Sequence, residues 1–76
     1  MAKRRATLPI GKVLKEARLK AGLTQEALAF AADVDRTYVS YLENDQQSPT
    51  IETLATICEA LDVLTSDLIR RAEKRR

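Results

Sequence analysis

With 76 residues the chain has room for one domain close to the lower size limit for an unsupported core, since chains of this length bury only about 60% of their unfolded surface. A single cysteine, Cys58, and no histidine exclude an internal disulfide and a Cys/His metal cluster, so apolar side chains alone must build the core. The net charge of +2 hides a division: residues 1–20 carry a net +6, residues 21–69 a net −8 and residues 70–76 a net +4, which places any attraction for phosphate at the two ends.

No apolar run approaches the roughly 18 residues of a membrane span. The charged start Met1 to Arg5 lacks the apolar region that follows in a signal peptide. The expected setting is therefore the cytoplasm, with no membrane partner, no evident small-molecule ligand, no metal and no cofactor.

In chain order, residues 1–6 are small and basic and read as an arm, 7–70 as the folded domain and 71–76 as a basic tail. Ile10, Val13, Leu14, Ala17 and Ala21 recur at helical spacing from Pro9 to Gly22, predicting a first helix. Thr24 can cap a second, with Glu26 in its first turn, an inner stripe of Leu28, Ala29 and Ala32, and Leu23 and Val34 bracketing it. Asp35 can cap a third with Val39 and Leu42 inside and Tyr38 partly covered.

Asn44 to Ser48 is a polar turn. A fourth helix follows with Thr50 as its cap and Ser48 the alternative, and with Ile51, Leu54, Ala55, Cys58 and Leu61 as its stripe and Ile57 just off it. Thr65 with Asp67 opens a fifth, where Leu68, Ile69 and Ala72 are apolar. No segment reads as a strand and no repeat appears. The expected fold class is all-α, a compact five-helix bundle.

Residues 23–44 hold two short amphipathic helices separated by a very small turn. A helix-turn-helix needs a small residue where its helices touch, a tight turn, and a polar exposed face on the second helix. Ala32, then Asp33-Val34, then Arg36, Thr37, Ser40 and Tyr41 fill those positions in order.

Thr24-Gln25-Glu26, Ala32-Asp33-Val34-Asp35, Arg36-Thr37-Tyr38-Val39-Ser40, Leu42-Glu43-Asn44 and Pro49-Thr50-Ile51-Glu52-Thr53-Leu54 resemble successive blocks of the lambda-repressor-like, or xenobiotic-response-element-type, helix-turn-helix domain. Five blocks in order, across roughly residues 10–69, make the resemblance specific. The Asp-Arg-Thr-Tyr-Val-Ser stretch is also similar to the small controller proteins of restriction-modification systems.

The resemblance implies a sequence-specific double-stranded-DNA-binding transcriptional regulator, with the helix at about 35–44 in the major groove of DNA, acting as a homodimer. It implies base contacts from Arg36, Thr37 and Tyr41. Arg36 carries the planar fork that matches guanine, Thr37 can meet a thymine methyl, and Tyr41 an edge or a phosphate. A phosphate role for Arg36 and a dimer-surface role for Tyr41 stay open. Gln25 resembles the family's phosphate-binding glutamine, which can also brace the recognition helix, and Thr24 and Ser40 are further phosphate candidates. Lys3, Arg4 and Arg5 resemble an arm that follows a groove, with simple solubility as the alternative. Arg18 and Glu43 resemble an ion pair that ties the first helix to the end of the third. Dimer contacts are expected from Leu64, Leu68 and Ile69, with closure of the monomer core as the alternative for some of them.

The chain departs from the family at three usual glycine positions, which hold Asp33, Asp45 and Asp62. Aspartate enters the left-handed region more readily than most residues, so the turns stay feasible. Where the family often has Lys or Arg, Gln46 and Gln47 follow Asp45. The acidic Glu43 and Asp45 would repel a DNA backbone unless they turn away from it.

That acidic centre motivates one competing reading: an antitoxin-like protein-binding module with the same fold and weak DNA binding. An enzyme is not expected, because no histidine, glycine-rich phosphate loop or nucleophile–base pair is present to carry proton or group transfer.

Overall fold

A computed structural model describes residues 8–75, which form five α-helices: α1 (Ile10–Lys20), α2 (Gln25–Ala32), α3 (Arg36–Glu43), α4 (Ile51–Ala60) and α5 (Thr65–Lys74). No strand occurs among the described residues, and the architecture is the expected all-α bundle. Helix α1 packs against α3 and α5, α2 against α3 and α4, and α4 against α5.

The first four helices end by one device. In α1 the Gly22 amide donates to Leu19 O at 3.0 Å and the Leu23 amide to Arg18 O at 3.1 Å. The same pair of bonds closes α2 (Asp33 to Phe30, Val34 to Ala29), α3 (Asp45 to Leu42, Gln46 to Tyr41) and α4 (Asp62 to Glu59, Val63 to Cys58). This closure requires a left-handed residue just past the helix. Gly22 has φ 76, and Asp33, Asp45 and Asp62 have φ 58, 57 and 59. The three aspartates therefore stand where the backbone would suit glycine.

Helix starts are capped by side chains that satisfy otherwise orphaned amides. Thr24 Oγ1 accepts from the Ala27 amide at 3.0 Å and Asp35 Oδ1 from the Thr37 amide at 2.8 Å. Thr50 Oγ1 accepts from the Thr53 amide at 3.1 Å, so Thr50 rather than Ser48 caps α4. Neither α1, behind Pro9, nor α5, behind Leu64, has a cap from the residue that precedes it.

The core is aliphatic: Val13, Leu14 and Ala17 of α1 meet Leu28, Ala29 and Ala32 of α2, Val39 and Leu42 of α3, Leu54, Ile57 and Cys58 of α4, Leu61, and Leu68 and Ala72 of α5. Cys58 is fully buried, and burial pushes its thiol up from its ordinary pKa against smaller pulls from a Thr65 hydrogen bond and the Arg71 charge. It serves as a small apolar residue.

Four sequence expectations are corrected here. Ile57 is buried while Ile51, 68% exposed, and Ala55 face outward, so the α4 stripe is Leu54, Ile57, Cys58 and Leu61. Ala21 is exposed, because it follows the last residue of α1, where the chain leaves the helix. Leu68 is fully buried and closes the monomer core; only Leu64, 67% exposed, and the half-buried Ile69 remain for another surface. The stretch read as a tail from residue 71 is helical through Lys74, with Ala72 fully buried and Arg75 Nη1 bonded to Glu16 Oε2 of α1 at 2.6 Å.

Candidate nucleic-acid interface

Three residues, Asp33 to Asp35, separate α2 from α3. The left-handed Asp33 reverses the chain, half-buried Val34 anchors the turn to the core, and Asp35 starts α3. With Val39 and Leu42 facing inward, helical geometry sends Arg36, Thr37 and Tyr41 outward. All three are exposed, Tyr41 by 41%. Ser40 is half-buried beside them, its Oγ accepting from Asn44 Nδ2 at 3.5 Å. Tyr38 is half-buried against the core, as its spacing predicts.

The other side of α3 is fixed by charge. Arg18 Nε donates to Glu43 Oε2 at 2.6 Å and Arg18 Nη2 to Glu43 Oε1 at 3.0 Å, a two-pronged pair whose side chains are 8% and 2% exposed. Arg18 Nη1 donates to Leu23 O at 2.8 Å, and Gln25 Nε2 donates to Glu43 Oε1 at 3.1 Å. The guanidinium and carboxylate thus find several partners out of water, the condition under which a buried pair holds geometry. One network joins α1, the start of α2 and the end of α3.

An open groove of about 370 Å³ runs between the starts of α2 and α3, lined by Arg18, Thr24, Gln25, Glu26 and Arg36. Gln25 sits in both settings: its amide nitrogen braces Glu43 while the residue lines the groove. The structure therefore gathers Thr24, Gln25 and Arg36 at one groove and Thr37, Ser40 and Tyr41 along one helix. Lys3, Arg4 and Arg5 lie outside the described residues.

Both acidic residues that weighed against DNA are engaged by the protein itself, Glu43 buried and Asp45 at the surface. Glu43 is held by Arg18 and Gln25, and Asp45 Oδ1 accepts from the Gly11 amide in α1 at 3.0 Å. Sequence reasoning missed this second tie, and also missed Asn44, which is exposed three residues beyond Tyr41 and shares its face. The spacing 37, 41, 44 carried the signal for Asn44. For Gly11 the signal was a glycine near the start of a helix, which usually has a packing cause.

A helix-turn-helix family model matches residues 14–68, from the middle of α1 to the middle of α5. This chain belongs to the lambda-repressor-like helix-turn-helix family. Over 63 residues it is 35% identical to the control protein C.BamHI of Bacillus amyloliquefaciens, a match covering 82% of this chain and 78% of the relative. It shares 43% identity over 53 residues with the transcriptional regulator PrpR of Mycobacterium tuberculosis, covering 70% of this chain but only 11% of that protein. Among solved structures it is similar to the restriction-modification controller C.Esp1396I, at TM-score 0.79 and 35% identity over 87% of each chain. That controller was solved as a tetramer in complex with its natural 35 base-pair operator.

Proposed function

We propose that this helix-turn-helix chain is a sequence-specific double-stranded-DNA-binding transcriptional regulator that works as a homodimer in the cytoplasm, with α3 entering the major groove. One observation carries the reading: α3 is clamped to the body by buried side chains while Arg36, Thr37 and Tyr41 project from its free face. A rigid helix with a polar outer face can present hydrogen-bonding groups to base edges at fixed positions. Thr24, Gln25 and Ser40 flank that face and are assigned to phosphates, with Lys3, Arg4 and Arg5 supplying further backbone contacts. Burial of Glu43 against Arg18 neutralises one of the two acidic charges beside α3, and the Gly11 amide engages one oxygen of the other, Asp45.

The relatives named as controllers and regulators support this reading, as does the operator complex of C.Esp1396I. A single recognition helix reads only a few base pairs, so useful selectivity calls for a second subunit about one helical turn away. Exposed Leu64 and half-buried Ile69 at the α5 side are assigned to that contact. No reaction is assigned to the protein.

Selection of bound oligonucleotides from a random pool at two salt concentrations tests the proposal. It should return a palindromic or near-palindromic site with half-sites about 10 base pairs apart. Arg36→Ala should relax preference at one position of each half-site at about 1–3 kcal/mol. A pool that emerges without enrichment, alongside binding equally weak for all sequences, would remove the assignment.

A further inference from the structure

Asp45 is the residue that sets this chain's recognition helix apart from its other helices. Asp33, Asp45 and Asp62 share the same left-handed backbone and the same pair of closing hydrogen bonds. For the backbone alone, glycine would serve at each. Only Asp45 also uses its carboxylate for a tertiary bond among the described residues: Oδ1 accepts from the Gly11 amide, 34 residues away, at 3.0 Å. That amide belongs to the first turn of α1, which has no cap from Pro9. Asp45 thus caps a helix it does not precede.

The approach is close. A methyl group on Gly11 would collide with Leu42 O and stand 2.7 Å from Glu43 O and 2.8 Å from Asp45 Oδ1. The last carbonyls of α3, at the negative end of its dipole, therefore lie directly on the positive end of α1, with no side chain between. Arg18 and Gln25 hold the same end of α3 through the Glu43 carboxylate. The recognition helix is fastened twice at its C-terminal end, once through the Glu43 carboxylate and once through the Asp45 carboxylate on the Gly11 amide, where backbone also packs on backbone.

We infer that Asp45, together with Gly11, is a positioning residue for DNA reading: it fixes the angle of α3 against α1 without facing the DNA itself. This rests on the proposed DNA-binding function. The carboxylate completes α1, and through that bond the direction in which Arg36, Thr37 and Tyr41 point is set. Losing the bond leaves α3 able to tilt about the Arg18–Glu43 pair. A tilt misplaces base contacts over a few ångströms while leaving phosphate attraction nearly unchanged, because charge attraction tolerates displacement and bidentate base contacts do not.

The test compares Asp45→Gly with Asp45→Asn, and with Asp33→Gly and Asp62→Gly as controls. Glycine keeps the left-handed turn and loses the cap; asparagine keeps both the turn and an acceptor oxygen. Asp45→Gly should lower affinity for the selected operator about tenfold, the scale of one mismatched base pair. Its affinity for random DNA and its salt slope should match those of Asp45→Asn, which has lost the same charge. Asp45→Asn should restore most of the loss, and the two control variants should bind as wild type does. Residual dipolar couplings of the free proteins give a second readout, with α3 reoriented against α1 in Asp45→Gly alone.

Unchanged α3 couplings in folded Asp45→Gly would overturn the inference, as would equal operator affinity. Gly11→Ala approaches the same end from the other side, and a folded Gly11→Ala protein with full operator affinity would also overturn it. If wild type itself selects no operator, the DNA-binding proposal falls while the couplings still decide whether Asp45 orients α3.

Discussion

Arg18 and Glu43 show how one pair of residues can serve both stability and placement. Each is buried, and each is satisfied by more than its partner: Arg18 by Leu23 O and Glu43 by the Gln25 amide. Removing one member strands the other charge away from water, at a cost of about 3–5 kcal/mol. Urea denaturation of Glu43→Ala should show a loss of that size, with Arg18→Met similar. The double replacement Arg18→Met with Glu43→Leu should recover much of it, since neither charge then remains. A loss under about 1 kcal/mol for the single variants would mean that the pair behaves as an exposed one. This tie was legible in the sequence because both residues fit a family pattern. The Asp45–Gly11 tie was not, because the pattern has glycine where this chain has aspartate, and periodicity shows which face of a helix is inside without showing which ends touch.

At the scale of an element, α4 shows the limit of reading a stripe from spacing. Ile51, Leu54, Ala55, Cys58 and Leu61 fit one helical face, yet Leu54, Ile57, Cys58 and Leu61 fit another rotated slightly from it. The choice depends on where α2 and α5 lie against α4, which is a tertiary fact. They cover Ile57 fully and leave Ile51 at the rim of a shallow apolar groove with Leu8, Ile10, Pro49 and Ile69. Ile57→Ala should therefore cost about 2–5 kcal/mol in chemical denaturation. Ile51→Ala should stay within about 0.5 kcal/mol, as surface substitutions generally do. Equal losses would place the stripe back on the first face. By contrast the caps at Thr24, Asp35 and Thr50 were readable from residue type alone, because a hydroxyl or carboxylate ahead of an apolar run has a local use that no distant contact alters.

For the whole molecule the question is where affinity comes from. The region that forms the reading surface is acidic overall, and the basic residues concentrate in residues 1–20 and 70–76. Part of that charge is already engaged: Arg18 is buried with Glu43, Arg70 pairs with Asp67 and Arg75 with Glu16. The arm, Lys3, Arg4 and Arg5, is proposed as one source of the remainder. Deleting residues 2–6 should weaken operator binding and reduce the slope of log affinity against log salt by about 0.9 for each phosphate contact removed. An unchanged slope would confine those charges to a role in keeping the protein dispersed. Fold class, helix order and the exposure of Arg36, Thr37 and Tyr41 on α3 were all accessible from pattern and family blocks. The redirected acidic residues were not, since a formal charge on a sequence carries no direction.

The aliphatic core leaves the aromatic residues to other places. There is no tryptophan, the sole phenylalanine, Phe30, is 89% exposed, and both tyrosines lie on α3, with Tyr41 on its free face and Tyr38 against the body. Tyrosine emission from this protein consequently originates on the recognition helix alone. Its intensity and anisotropy track the surroundings of that one element through titrations, without any label attached.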